Sequence, residues 1–142
     1  MARKITLTKA RRAELLAASR AVRLNAYAPY SNYKVGAALL AESGRIYAGA
    51  NFENAAYGAG TCAERVALGA ALAAGERKFI AVCVCGADNT ISPCGICRQA
   101  LCEFGDMPVL CAGAEDSGPG SAVREFKLSE LLPESFGPAQ LV

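Results

Sequence analysis

The chain has no histidine and no tryptophan, and aromatic residues make up only 7% of its 142 positions. The missing histidine excludes Ser-His-Asp hydrolysis, Cys-His proteolysis and the His-Glu-x-x-His zinc site together. Any metal site must use Cys, Asp or Glu. Charge is also scarce: charged residues are 20% and the net charge is +2. The concentrated basic footprint that accompanies nucleic-acid binding is therefore missing. The one basic cluster, Arg3, Lys4, Lys9, Arg11 and Arg12, reads as a solvated helix end and face rather than an RNA or membrane contact. No apolar run approaches the roughly 20 residues a bilayer requires, and Met1 to Thr6 shows no leader-like apolar region. The expectation is a cytoplasmic protein with no nucleic-acid or membrane partner.

Hydrophobic residues make up 53% of the chain, enough for one core, and the length fits one domain over residues 1–142. Alanine is abundant in that apolar fraction, and the chain has 14 glycines besides. Small residues let elements approach closely but bury little area each, which favours association of copies. The seven cysteines, with reducing surroundings expected, divide into core residues and metal ligands rather than a disulfide framework.

Thr8 caps a first helix that runs to about Ala28 before Pro29, with Leu15, Ala18, Val22 and Ala26 on one stripe. Tyr33 to Ala41 and Arg45 to Asn51 read as a hairpin around Ser43-Gly44. A second helix spans Cys62 to Ala74, and the apolar run Phe79 to Gly86 is a strand covered on both faces. Ser92 and Pro93 open a third helix that reaches Phe104. Strands follow at Pro108 to Ala112 and Val123 to Lys127, the second after a loop at Asp116 to Gly120, and a short helix at Leu128 to Leu132. The order predicts a three-layer α-β-α domain around a mixed, about five-stranded sheet. Its first pair is a hairpin and its later pairs are joined through helices.

The chemistry lies in Thr61-Cys62-Ala63-Glu64 and Pro93-Cys94-Gly95-Ile96-Cys97, each at a helix start. Cys94 and Cys97, three apart, share a helical face and can share a metal. Cys62 adds a third sulfur if the helix ends meet. Three protein ligands leave the fourth zinc position open, as a catalytic site requires. Cys83, Cys85, Cys102 and Cys111 lie on strands or a helix body and are not placed as ligands. Three thiolates make the site negative. The two helix N-termini offset this, as does Arg65 if it donates to a sulfur rather than to a surface ion pair.

Glu64, on the same first turn as Cys62, can reach a metal-bound water as general base. The competing role is a capping box, with Glu64 on the Thr61 N–H. For Cys94-x-x-Cys97 alone, a redox pair or buried core thiols compete. Cys-x-Glu followed by Pro-Cys-x-x-Cys is the pattern of zinc deaminases in their three-cysteine form.

The sequence resembles the small homotetrameric zinc-dependent cytidine deaminases from about Tyr27 to Phe136. The likeness rests on Ala-Tyr-Ala-Pro-Tyr-Ser (26–31), Asn-Phe-Glu-Asn-Ala-Ala-Tyr (51–57), Cys-Ala-Glu-Arg (62–65), Ser-Pro-Cys-Gly-Ile-Cys-Arg-Gln (92–99) and Glu-Leu-Leu-Pro (130–133). It implies one Zn2+ per subunit, a nucleoside substrate and a homotetramer of a pyrimidine-salvage hydrolase. Cytidine and 2′-deoxycytidine would become the uridine forms plus ammonia, by attack of zinc-bound hydroxide on C4. Glu64 would carry the proton to N3 and then to the leaving ammonia. By the same resemblance Asn51 and Glu53 would bind the ribose hydroxyls, the Ala63 N–H would face the pyrimidine O2, and Phe136 would enter a neighbouring subunit's pocket. Asn51-x-Glu53-Asn54 read on its own is an ordinary polar turn.

Two positions depart from the family. Tyr33 stands where Phe is common; its ring can stack on a pyrimidine, or belong to the core. Ile96 is larger than the usual Ala and is expected to alter packing near the metal. Three other readings remain: a deaminase of a modified cytosine nucleoside such as blasticidin S, a zinc-stabilised interaction module without turnover, and an RNA-editing deaminase.

Overall fold

In a computed structural model, residues 3–141 are described. Met1 and Ala2, part of the stretch read for a leader, lie outside them. Five strands form one sheet in the order β2-β1-β3-β4-β5. They are β1 (Gly36–Ala41), β2 (Ile46–Ala50), β3 (Phe79–Cys85), β4 (Pro108–Ala112) and β5 (Arg124–Lys127). Only β3 and β4 run parallel; the other pairs are antiparallel. The helices are α1 (Lys9–Arg23), α2 (Ala63–Ala73), α3 (Gly95–Cys102) and a single-turn α4 (Leu128–Leu131).

The sheet lies between two helical layers, as the element order predicts. Alternation along the central strands sends successive side chains to opposite faces. Leu39, Val82, Val84, Val109 and Cys111 pack with Ala63, Ala67, Leu68 and Leu101 of α2 and α3. Ala38, Leu40, Ala81, Cys83 and Leu110 pack with Leu15 of α1. Both faces of β1 and β3 are therefore buried, which explains their unbroken apolar sequences. The outer strand β5 carries the exposed charges of Arg124, Glu125 and Lys127 around a half-buried Phe126 and presents a polar edge.

The small-residue core is a geometric requirement. A Cβ on Gly36 would stand 2.1 Å from Ser19 O in α1, and one on Gly49 would stand 2.4 Å from Ala67 N in α2. Backbone thus meets backbone on both sides of the hairpin. Gly49→Ala is expected to push α2 off the sheet at a cost of about 1–3 kcal/mol, lowering Tm by roughly 3–10 °C. A thermal melt checks this.

The sequence expectations fail at element ends. Helix α1 stops at Arg23 instead of Ala28. The Leu24, Asn25 and Ala26 N–H groups close short turns onto Ala21, Val22 and Arg23, and Tyr27 then pairs with the Asn51–Glu53 segment. Strand pairing outcompetes the last turn. Tyr33 lies in the loop before β1, not in the strand. Helix α3 starts at Gly95 and ends at Cys102, so Ser92 is not its cap; its hydroxyl accepts from Arg98 instead. The β4–β5 pair is joined by a loop, with Gly118 and Gly120 at positive φ, not by a helix.

Among the described residues all seven cysteines are free. Cys83, Cys85 and Cys111 are buried on the strands. Burial pushes the Cys83 thiol up to about 11, against the opposing contact with Ser19 Oγ at 3.3 Å. These are packing residues. No helix among the described residues is long and apolar enough to cross a membrane.

Candidate active site

Two helix starts converge beneath one cavity. Cys62 is the N-cap of α2 and Cys94 the N-cap of α3, both in extended backbone, and Cys97 lies one turn into α3. An N-cap side chain folds toward the first turn of its helix, so Cys94 and Cys97 meet there. The three Sγ atoms lie within 4.8 Å of one another, and Cys62 Sγ is 3.7 Å from Cys94 Sγ. Three sulfurs on a tetrahedral zinc at the usual bond length would be about 3.8 Å apart.

The charges around the sulfurs fit a dication as well as the distances do. Arg65 donates from Nη2 to Cys62 Sγ at 3.6 Å. Contacts with the Cys62 and Cys97 sulfurs raise the guanidinium above its ordinary range. Its Nε is buried without a partner. Arg65 therefore serves the sulfurs and makes no surface ion pair among the described residues. Burial opposes ionisation of Cys94, yet the N–H groups of Cys97 and Ile96 and the neighbouring thiols hold it below its ordinary value. Burial and the Glu64 carboxyl push Cys97 the other way. Three thiols and a carboxyl face one guanidinium, an imbalance that a bound Zn2+ would correct.

Glu64 is 4% exposed. Burial raises its carboxyl above the usual range, while the Cys97 thiol, its own N–H and Arg65 pull it back. The capping-box role is excluded: Cys62, not Thr61, caps α2, and the Thr61 N–H donates to Phe52 O at 3.0 Å. The Glu64 side chain is left free for the cavity.

That cavity holds about 320 Å3, at the small end of ligand-sized sites. Tyr33, Asn51, Glu53, Cys62, Ala63, Glu64 and Cys94 line it together. Tyr33 is 42% exposed and so is no core residue. Its hydroxyl lies against Gly86 and Ile91, where a Cβ on Gly86 would come within 2.7 Å of it. Asn51 Oδ1 accepts from Val35 N at 2.8 Å, and its Nδ2 donates to Tyr33 O at 2.9 Å. Each group keeps one hydrogen-bonding capacity. Glu53 accepts from the Tyr30 and Ser31 N–H groups and, at 2.5 Å, from Ser31 Oγ. The Ser31 hydroxyl and N–H groups hold its carboxyl below the usual range, so it is ionised at neutral pH.

Two residues singled out in the sequence, Phe136 for a neighbouring subunit's pocket and Ile96 for its bulk, lie outside the lining of this cavity. Phe136 is 59% exposed in the C-terminal segment and lines no part of this cavity. Ile96 is 66% exposed and is absent from the cavity wall. Sequence reasoning assigned no role to Ser31, which fixes Glu53, or to Ile91, which walls the cavity. Ser31 was visible in the Pro-Tyr-Ser motif, but its pairing across 22 residues with Glu53 was not.

Comparison with known proteins agrees with this geometry. Residues 10–112 match the model of the cytidine and deoxycytidylate deaminase zinc-binding region. A cytidine deaminase of Sporosarcina psychrophila is 43% identical over 131 residues, covering 90% of this chain and 93% of the relative. One from Mycobacterium tuberculosis is 40% identical over 113 residues, covering 79% of each. The crystal structure of cytidine deaminase from Burkholderia pseudomallei superposes with a TM-score of 0.78 at 45% identity, covering 87% of this chain and 98% of that one. The sulfur cluster, the buried acid beside it and these likenesses along most of the chain have one common account: it belongs to the cytidine and deoxycytidylate deaminase zinc-binding family.

Proposed function

We propose that the chain, a single domain, hydrolyses cytidine and 2′-deoxycytidine to uridine and 2′-deoxyuridine with release of ammonia, as a step of pyrimidine salvage in the cytoplasm. The observation that carries this reading is the buried Glu64 beside Cys62, Cys94 and Cys97, on the wall of a cavity that Asn51 and Glu53 also line. A Zn2+ held by the three sulfurs supplies the Lewis acidity that lets water deprotonate near neutrality.

The chain's own residues do the rest. Glu64 takes one proton from the attacking water and passes it to N3 of the cytosine, then takes the remaining proton of the added hydroxyl and delivers it to the departing amine. Its burial favours the protonated form and so makes it an effective donor. The Ala63 N–H, in the first turn of α2, faces the pyrimidine O2, and the helix N-terminus favours the negative charge that collects there. Tyr33 lays its ring along the base. Asn51 and Glu53 take the ribose hydroxyls with their remaining capacity. An ionised Glu53 also repels a phosphate on the sugar, which favours free nucleosides over polynucleotides.

Glu53→Gln is expected to raise KM for cytidine by roughly 10–100-fold with a much smaller change in kcat, the loss of one charge-assisted hydrogen bond. Steady-state kinetics by ultraviolet absorbance checks this. The same assay with blasticidin S separates the ordinary from the modified substrate.

The homotetramer belongs to the same proposal. Phe136 is exposed, and its carbonyl accepts from Gln99 Nε2 at 2.8 Å, which holds the segment in place. An adjoining cavity of about 560 Å3 is walled by exposed Tyr30, Phe52 and Tyr57 beside Arg65. Exposed aromatic surface of this kind suits contact with another copy. Sedimentation reads the copy number, and a monomeric active enzyme would contradict it.

A further inference from the structure

Cys94 is the least constrained of the three sulfur residues. Cys97 is buried on a helix body, whereas Cys94 is exposed at the end of a loop that runs from Gly86. That loop is held by arginines. Arg98 donates from Nε to Pro93 O at 2.7 Å, from Nη2 to Ser92 Oγ at 3.1 Å and from Nη1 to Leu131 O, in α4, at 2.7 Å. From β5, Arg124 donates from Nε to Asn89 O at 2.7 Å and from Nη2 to Ile91 O at 3.3 Å. The carbonyls of 89, 91 and 93 are each taken by a guanidinium. Neither arginine forms an ion pair with a carboxylate among the described residues.

A guanidinium presents five donors in a rigid plane and can bridge segments that a single-point ammonium cannot. Arg98 bridges three groups at once: the peptide just before Cys94, the preceding hydroxyl and the short helix at the far side of α3. We infer that Arg98, supported by Arg124, is a positioning residue that sets the Pro93–Cys94 peptide so that the Cys94 sulfur completes the metal cradle. The inference rests on the assignment of Cys62, Cys94 and Cys97 as ligands. It also gives the C-terminal region a part in the metal site, since Arg98 grips Leu131 and the next residue, Gln99, grips Phe136.

The test uses the full-length protein and metal alone. Wild type, Arg98→Met, Arg98→Lys and Arg124→Met are loaded with Co2+ for the thiolate charge-transfer and ligand-field bands. They are then loaded with Zn2+ for the rate of release to a chromophoric chelator. Arg98→Met is expected to release zinc at least tenfold faster with shifted cobalt bands, and Arg98→Lys to restore less than half of that loss. Arg124→Met shows a smaller change in the same direction. Leu15→Ala, a core truncation on the opposite face of the sheet, lowers Tm without accelerating release. Should Arg98→Met fail to fold, Arg98→Lys and Arg124→Met carry the test. Wild-type release rates and unshifted bands in the arginine variants overturn the inference, as does equal acceleration in Leu15→Ala. A wild type that binds no Co2+ through thiolates overturns the ligand assignment beneath it.

Discussion

Glu64→Gln should hold its zinc and its fold and lose at least about 10³-fold in kcat for cytidine, the upper part of the range for a positioned acid–base group. The substitution keeps shape and removes the negative charge together with the ability to carry a proton. On the proposed mechanism Glu64 moves protons at two points, the ring N3 and the departing amine, so both steps would suffer. The stability side of the prediction is equally specific. Glu64 makes no capping contact with Thr61, whose N–H is already given to Phe52 O, so no cap is lost. Burial makes a charged carboxylate costly at this position, and the Cys97 thiol is pushed up partly by it. A neutral amide relieves that repulsion, and Tm is expected to stay level or rise. Metal content by emission spectroscopy, a thermal melt and the ultraviolet assay together check the three claims. A zinc-stabilised module without turnover predicts no kinetic change at all.

Cys97→Ala should lose both metal and turnover, and melt well below wild type. Cys97 is fully buried, within reach of Cys62, Cys94 and Glu64. Two sulfurs cannot hold the ion against water, and a ligand that binds only the native state at 1,000 times its Kd stabilises by about 4 kcal/mol. That loss corresponds to a fall in Tm of more than about 10 °C for a chain of this size. Cys111→Ala is the matched control. It is equally buried, on β4, but belongs to the core. It should lose packing energy of about 1–2 kcal/mol while keeping its zinc and its kcat. Chelation of the wild type should lower its Tm most of the way to the Cys97→Ala value, the remainder being the packing lost with the buried sulfur, and added zinc should reverse it.

The succession of strands and helices was legible because burial leaves a periodic trace. The two-sided strands β1 and β3 read as apolar runs, and the hairpin turn at Ser43-Gly44 is local. The ends of elements were less legible because they depend on partners distant in sequence. Helix α1 yields its last residues to a bridge between Tyr27 and Phe52. Ser92 looks like a helix cap, but Arg98 claims its hydroxyl. The metal site was legible for a different reason: Cys-x-Glu and Pro-Cys-x-x-Cys fix three sulfurs and an acid by short-range geometry, leaving only the meeting of two helix starts to the fold. The wall of the cavity was not legible in this way. Ser31 holds Glu53, Gly86 makes room for the Tyr33 hydroxyl, and Arg98 and Arg124 hold the loop into Cys94, each through contacts that no spacing announces.

A metal-stripped sample, titrated with Zn2+ while the loss of cytidine absorbance is followed, puts the account to its most direct test. The rate should begin near zero, climb in proportion to added zinc and stop climbing at one ion per chain. A rate indifferent to zinc, or a fully loaded protein that leaves cytidine untouched, would contradict it.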